Sequence, residues 1–163
     1  MTKNKTYYLE MHSAAALKVK RLPKWLYVKE CVEPQAKLNQ FMYQAVGTPW
    51  KWVDKISWSE QIWQTYVERD NLRTWLALEE GSIAGYFELE RSVEGDVEII
   101  YFGLMPEYID RGISSALLSF ATEQAWQWDA KRVWVHTGDF DHPATLNNYK
   151  KRGFDLYEPM LLG

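Results

Sequence analysis

The chain has one cysteine and no long apolar run. Cys31 alone can form neither an internal disulfide nor a zinc cluster, which favours a reducing compartment, and we expect a cytoplasmic protein without bound metal. No apolar run approaches the roughly 20 residues that a membrane span needs. The first residues, 1–5, are not followed by the apolar stretch of a secretory signal. We therefore expect no membrane partner.

An excess of basic charge is also missing. The formal net charge is −3, so the chain lacks the electrostatic footprint of a nucleic-acid-binding protein, and we expect no nucleic-acid partner. Basic residues do cluster at 18–21 and at 150–152. Because acidic residues outnumber basic ones overall, we interpret each cluster as a solvated surface rather than a track for phosphates.

Apolar and aromatic residues are plentiful. Apolar residues make up 47% of the 163 positions, which is enough for a core, and we expect one domain over residues 1–163. Aromatic residues make up 15%, and the nine tryptophans include four within residues 50–63, namely Trp50, Trp52, Trp58 and Trp63.

Hydrophobic periodicity and turn residues predict a chain of strands and helices. The predicted strands are 5–11, 74–79, 83–90, 96–105, 132–137 and 154–157, and the predicted helices are 34–46, 57–69, 112–128 and 142–152. Ser57 is the expected N-cap of the second helix, with Glu60 completing a capping box. Gly103 interrupts an apolar strand, which indicates a bulge or a close approach to the backbone.

The order of these elements predicts a mixed sheet in an α/β or α+β fold. Residues 97–135 form a strand–loop–helix–strand unit, and such a unit normally joins parallel strands by a right-handed crossover. The strands before this unit are joined by short turns, such as the one at 80–82, and are expected to be antiparallel.

The junction between the strand ending near residue 105 and the helix from 112 has the composition of an anion site. Gly112, Ser114 and Ser115 are small, and Arg111 precedes them. The first amides of a helix have no backbone partner, and small residues allow a diphosphate to approach them. An ordinary helix start with small capping residues explains the same spacing, and both interpretations remain open on spacing alone.

Residues 105–118 resemble the acyl-CoA-binding motif of the GNAT superfamily of N-acetyltransferases. That motif is Gln/Arg-x-x-Gly-x-Gly/Ala after a bulged strand. Gly112 occupies the first glycine position, whereas Ser114 replaces the second small residue and Ile109 replaces Gln/Arg.

A second element of that family follows in the expected order. Residues 142–154 resemble the closing motif Asn-x-x-Ala-x-x-x-Tyr-x-x-x-Gly-Phe. Tyr149, Gly153 and Phe154 match it, whereas His142 and Thr145 do not match Asn and Ala. The resemblance covers residues 72–158.

The resemblance implies a mostly antiparallel sheet that is splayed between two parallel central strands, 96–105 and 132–137, and flanked by helices. It implies acetyl-CoA as co-substrate, with pantetheine paired to the strand backbone and the diphosphate on the amides of 111–115. Arg111 is expected to replace the donor missing at Ile109. The implied contacts are Phe102, Gly103, Leu104, Arg111, Gly112, Ile113, Ser114, Ser115 and Asn148.

The resemblance also implies transfer of an acetyl group to a primary amine by direct attack. An amine with a lysine-like pKa of about 10.4 is neutral in roughly one molecule in 2,500 at pH 7, so a base or a water relay must take its proton. Glu98 is the first candidate, and Glu88 and His136 are the reserves. A solvated carboxylate and a hydrogen-bonded core histidine are the structural alternatives.

The family pattern makes Tyr149 the acid that protonates the departing CoA thiolate, although a tyrosine that merely packs the last helix is the alternative. The amide of Phe102 or Leu104 is the expected donor to the developing oxyanion.

Trp50, Trp52 and Glu88 are expected at the acceptor, where family members build a lid from their first two helices. The alternative is that the tryptophans fill the interface between helices and sheet. Three functions remain: acetylation of a small-molecule amine, a catalytically silent CoA-binding or regulatory module, and acetylation of a protein N-terminus or lysine. Association into a homodimer is left open.

Overall fold

A computed structural model describes residues 5–159. The strands are β1 (Thr6–Met11), β2 (Tyr27–Glu30), β3 (Leu72–Glu79), β4 (Ser82–Arg91), β5 (Asp96–Leu104), β6 (Arg132–Gly138) and β7 (Asp155–Tyr157). The helices are α1 (Ala36–Gly47), α2 (Glu60–Val67), α3 (Ser114–Gln127) and α4 (Thr145–Arg152). Short 3₁₀ turns lie at Ala14–Ala16, Thr48–Trp50 and Pro106–Tyr108.

The strands form one sheet in the order β2-β3-β4-β5-β6-β1-β7. β5 and β6 are parallel and every other neighbouring pair is antiparallel, which confirms the mixed, mostly antiparallel sheet. β5 and β6 pair only from Asp96 to Glu98, so the two strands diverge beyond that point. The edge strand β2 has four residues, two apolar followed by two charged, so its sequence does not alternate apolar and polar residues as a strand usually does. The sequence analysis did not predict it.

Helices cover both faces of the sheet. Tyr86 and Phe87 are neighbours on β4 and therefore point to opposite faces. Phe87 belongs to the main core with the α3 residues Leu117 and Leu118, whereas Tyr86 packs with Val46 of α1. The wedge between β5 and β6 consequently opens between two helical layers.

All four helices begin later than the sequence predicts, and α1 begins at Ala36 rather than 34. The N-cap of α2 is Ser59 rather than Ser57, because the Ser59 hydroxyl accepts a 3.2 Å hydrogen bond from the Ile62 amide. α3 begins at Ser114 because Gly112 is left-handed, with φ +79°, and cannot be its first residue. α4 begins at Thr145 rather than 142.

The bulge in β5 lies at Ile100, three residues before Gly103, because Glu88 pairs with Tyr101 while Leu89 pairs with Ile99. Gly103 has a different cause. A Cβ at this position would lie 2.3 Å from Cγ1 of Val46. The close approach that the glycine permits therefore comes from α1, which corrects the expectations of a bulge or a ligand at Gly103.

Gly103→Ala is expected to lower the free energy of unfolding by about 1–3 kcal/mol, because the added methyl group overpacks the contact with Val46. Combining it with Val46→Ala should cost less than the sum of the two single changes, since the second substitution makes room. Gly138→Ala is the control, because its Cβ would meet only a carbonyl oxygen at 3.8 Å. Urea unfolding measures all four variants, and strict additivity would contradict the packing explanation.

Candidate active site

Two adjoining cavities open where β5 and β6 diverge. The first, of about 330 Å³, lies between the end of β5 and the starts of α3 and α4. The second, of about 370 Å³, lies between β5, β6 and the segment that joins α1 to α2. Residues of both linings form the boundary between them: Trp50, Trp52, Phe102, Asp141 and Thr145.

The first turn of α3 presents free amides to the first cavity. Within the described chain, the amides of residues 113–116 donate to no backbone carbonyl, and the first helical bond runs from Leu117 to the Ile113 carbonyl at 2.9 Å. A Cβ on Gly112 would meet nothing within 4 Å, so the glycine supplies a left-handed backbone rather than space. These amides and the helix dipole favour an anion.

Asn148 joins the starts of α3 and α4. Its Nδ2 donates to Ser114 Oγ at 3.1 Å, and Ser115 Oγ donates to its Oδ1 at 2.8 Å. All three residues line the first cavity. Because both serine hydroxyls are bonded to Asn148, the main chain of this turn is left for a ligand.

Arg111 lies apart from the first cavity. Its Nη2 is 3.5 Å from Glu79 Oε2, and its guanidinium stacks over the rings of Trp25 and Tyr108 at 5.3 and 4.6 Å. Its amide is also engaged, at 3.4 Å from the Tyr108 carbonyl. This corrects the expected position of Arg111 as a replacement for the donor missing at Ile109, because the carboxylate and rings hold it away from the lining.

Lys20 and Lys151 supply the positive charge of the first cavity instead. The Lys18 amide donates to the Arg152 carbonyl at 2.8 Å, and Arg152 Nη1 donates to the Lys18 carbonyl at 3.2 Å. The two basic clusters of the sequence therefore meet, and their lysines are exposed, as the interpretation of a solvated surface predicts. No sequence signal pairs them, because at least 129 positions of chain separate the two clusters.

The open edge of β5 presents the backbone of Phe102 and Leu104. The Met105 amide donates to the Ala84 carbonyl at 2.8 Å, and the Gly103 carbonyl also faces β4. Backbone groups alternate between the two edges of a strand, so those of residues 102 and 104 face the wedge. Gly103 lines the cavity, but its own backbone groups point to β4, contrary to the expected pairing with a ligand.

Glu98 and His136 are in close contact in the second cavity. His136 Nδ1 lies 2.8 Å from Glu98 Oε2, and Glu98 is only 8% exposed. The hydrogen bond to Glu98 raises the pKa of His136. The sequence analysis considered Glu98 and His136 as separate candidates for the base, and the structure brings them together. Glu98 is buried rather than solvated.

Tyr149 projects from α4 into the same cavity. Its side chain is 5% exposed, and its hydroxyl forms no hydrogen bond with any residue that the structure describes. Burial raises the pKa of Tyr149 well above its usual value, and the charges of Asp141 and Glu98 add to this effect. The phenol therefore keeps its proton at neutral pH.

Asp141, which the sequence analysis did not select, fixes the boundary between the cavities. Its carboxylate accepts hydrogen bonds from Trp52 Nε1 at 3.2 Å, from the Gly138 amide at 2.9 Å and from the Thr137 hydroxyl. Trp50 packs against His142, with ring centroids 5.2 Å apart. Trp50 and Trp52 line both cavities, and their role at an acceptor stays a prediction.

The remaining members of the tryptophan cluster and Glu88 lie elsewhere. Trp58 and Trp63 pack in the layer of α1 and α2, as the alternative for the cluster predicts. Glu88 lines neither cavity and is 1% exposed, hydrogen-bonded to Asn39 Nδ2 at 2.9 Å and to the Tyr66 hydroxyl. Burial raises its pKa. Its expected position at the acceptor is corrected, because α1 and α2 cover its side of β4.

Residues 5–159 hold no group of three or more His, Cys, Asp or Glu side chains arranged for a metal ion. No helix in this range combines the length and apolar character that a membrane span requires.

The sequence matches the model of the family described as the acetyltransferase (GNAT) family over residues 39–154. An uncharacterized N-acetyltransferase of Mycobacterium bovis is 34% identical over 80 residues, which cover 49% of this chain and 51% of the relative. The chain therefore spans about half the length of that curated relative.

Solved structures share the fold. A GCN5-related N-acetyltransferase from Sphaerobacter thermophilus aligns with a TM-score of 0.70 at 15% identity, over 94% of this chain and 48% of that one. An aminoglycoside acetyltransferase from an uncultured soil metagenomic sample aligns with a TM-score of 0.67 at 13% identity, over 84% and 93% of the two chains. At these identities the likeness concerns the fold alone.

Proposed function

The chain belongs to the GNAT family of acetyltransferases, and from this premise we propose that it transfers an acetyl group from acetyl-CoA to a small-molecule primary amine. The observation that carries the proposal is the adjacency of two cavities, one with free helix amides and lysines and the other with Glu98, His136 and Tyr149. A cytoplasmic location and a homodimer stay predictions.

The first cavity has the groups that acetyl-CoA requires. The amides of residues 113–116 suit the diphosphate, and Lys20 and Lys151 add positive charge for the phosphates. The backbone of Phe102 and Leu104 faces the wedge, where pantetheine amides need partners. One of these two amides is also the proposed donor to the thioester oxygen as it gains negative charge.

The Glu98–His136 pair is the proposed proton acceptor. In a neutral imidazole that donates from Nδ1 to Glu98, the unprotonated nitrogen is Nε2. His136 Nε2 takes the amine proton, directly or through a water molecule, and Glu98 fixes the tautomer and the ring orientation. The freed lone pair attacks the thioester carbonyl carbon.

Tyr149 is the proposed general acid for the CoA leaving group. The bond between the carbonyl carbon and sulfur breaks, the sulfur takes the electron pair, and the Tyr149 hydroxyl gives it a proton. The acetylated nitrogen releases its second proton as the amide forms, and this proton restores the Tyr149 phenol. The absence of a hydrogen-bond partner for this hydroxyl among residues 5–159 and its position in the second cavity support this role.

Release of CoA on mixing the protein with acetyl-CoA and a panel of amines tests the proposed function, with mass spectrometry of the acetylated product. We expect turnover with at least one small amine. Tight binding of CoA by calorimetry without turnover on any amine would instead favour the silent module. Peptides that outcompete small amines would favour a protein acetyltransferase.

Replacing Lys20 and Lys151 together with alanine is expected to raise KM for acetyl-CoA about 5- to 30-fold, since charge-assisted contacts to phosphate each contribute on the order of 1 kcal/mol. kcat should change less than about twofold, because neither lysine lines the second cavity. Lys24→Ala is the control in the same segment. Steady-state kinetics with acetyl-CoA and with phosphate-free acetyl-pantetheine measure the effect, and an equal loss with both donors would contradict it.

A further inference from the structure

We infer that the acceptor carries a second positive charge and that Asp54, with the aromatic wall of the second cavity, binds it. This inference rests on the proposed function and specifies its substrate class as a small diamine or a larger polycationic amine. Asp54 lies in the segment between α1 and α2 and lines the second cavity.

The carboxylates of the second cavity differ in what they already bind. Glu98 pairs with His136, Asp139 accepts a 2.8 Å hydrogen bond from the Lys5 amide, and Asp141 holds Trp52. Among the cavity's acidic side chains, Asp54 is the one without a hydrogen-bond or ion-pair partner in the described residues. Asp54 is exposed, so its carboxylate is hydrated and accessible to a ligand at the cavity.

Lys55, the next residue in sequence, forms no ion pair with Asp54 and directs its ammonium group elsewhere. The Lys55 ammonium donates to the Tyr101 hydroxyl at 2.8 Å and lies over the ring of Trp58 at 4.5 Å. Its amide donates to the Tyr43 hydroxyl at 3.1 Å. Because Tyr43 is buried, this bond fixes the turn that carries Asp54 at the cavity.

The cationic residues of the lining direct their ammonium groups to other rings. Lys51 Nζ lies 4.7 Å from the Phe140 ring centroid, and Lys5 Nζ lies 5.1 Å from that of Tyr7. The four carboxylates of the second cavity outnumber its two lysines and His136 together, which leaves the cavity an excess of negative charge even when the imidazole is protonated.

An aromatic wall accompanies this charge. The ring centroids of Tyr43, Trp52 and Tyr101 lie 5.2–5.7 Å apart, and all three residues line the cavity. Aromatic faces attract ammonium groups, and Tyr101 already has one beside it, because Lys55 Nζ lies 4.8 Å from its ring centroid. The unpartnered hydroxyl of Tyr149, 5% exposed, opens on the same cavity and independently marks it as a ligand site.

The reacting nitrogen is not the group that Asp54 suits. That nitrogen must be neutral when it attacks, and a carboxylate beside an amine favours its charged form. Asp54 therefore suits a nitrogen that stays protonated through the reaction. The neutral nitrogen belongs at the Glu98–His136 pair, and the two requirements together specify an acceptor with two amines.

The test compares α,ω-diamines of several lengths with monoamines of matched length. For the best diamine, kcat/KM should exceed that of its monoamine by at least about tenfold, which corresponds to about 1.4 kcal/mol. Asp54→Asn should raise KM for the diamine by a similar factor and leave its kcat, and both parameters for the monoamine, within about twofold. Asp70→Asn, an exposed aspartate outside both cavities, is the matched control.

The outcomes separate this inference from the proposed function. Equal use of diamines and monoamines, or an Asp54→Asn effect that is the same for both, overturns the inference and leaves the acetyltransferase intact. Absence of turnover with every amine, while CoA binds, overturns the proposed function and the inference with it. A lysine peptide that surpasses every diamine also overturns the inference.

Discussion

Tyr149→Phe is expected to lower kcat about 100-fold, within the range for loss of a general acid. The substitution removes one oxygen, and that oxygen forms no hydrogen bond within residues 5–159, so the Tyr149 ring keeps its packing against Phe154. A thiolate with a pKa near 8.5 is already a fair leaving group, which limits the loss to this size. Steady-state kinetics at saturating acetyl-CoA measure it.

Two further measurements distinguish an acid from a packing residue. The free energy of unfolding should change by less than about 0.5 kcal/mol, because no protein hydrogen bond is lost. KM for acetyl-CoA should stay within about twofold, since the hydroxyl acts on the sulfur as it leaves. Tyr27→Phe, an exposed tyrosine on the edge strand, is the control. An unchanged kcat would remove Tyr149 from the mechanism.

The central unit of the fold was predictable because its signals are local. The apolar strand β5, the small residues at the start of α3 and the stripe of apolar residues along α3 all lie within about forty positions. A parallel crossover has a fixed hand and a short connection, so this order of elements predicts the parallel strand pair. β2 was not predicted, because four residues that do not alternate apolar and polar side chains give no comparable signal.

The charged groups of the site were less predictable because tertiary contacts decide where they point. Arg111 lies beside the predicted anion site in sequence, yet Glu79 from the preceding hairpin draws it away. Lys20 and Lys151 come from opposite ends of the chain and reach the first cavity through contacts between the backbone near residue 18 and the end of α4. Composition alone assigns both clusters to solvent.

Gly103 shows that tertiary contacts of an uncharged residue are also hard to predict from the sequence. A glycine in an apolar strand indicates a close approach, and that expectation was correct. The approaching group is Val46, 57 positions earlier, and no local pattern identifies it. Local signals thus predicted that space is needed at β5, whereas only the packing of α1 identifies what fills it.

Glu98→Gln is expected to lower kcat/KM about 100- to 1,000-fold, at the upper end of the range for proton transfer by a positioned base, because two residues lose their function together. The amide retains a similar shape, but it no longer offers a carboxylate to His136 Nδ1 at 2.8 Å. His136 then loses the partner that fixes its tautomer and its orientation. Glu90→Gln, on the neighbouring strand and ion-paired with Arg69, is the matched control outside both cavities.

The pH dependence of the same variant identifies the proton acceptor. Hydrogen bonding to Glu98 is the main cause of the raised pKa of His136, and the base must be neutral to act. The acid limb of the kcat/KM profile should therefore move to lower pH in Glu98→Gln. Stability follows the same linkage: a raised histidine pKa stabilises the fold below the unfolded pKa of about 6.5, and this contribution disappears as pH rises through the folded pKa. The stability gap between the two proteins should consequently be wider at pH 6 than at pH 8.

A double variant decides whether Glu98 and His136 act as one unit. If Glu98 serves through the imidazole, His136→Gln alone should cost about as much activity as both changes together, because residues of one catalytic unit are strongly non-additive. If the two losses multiply instead, each side chain has a separate role, and Glu98 takes the amine proton without His136.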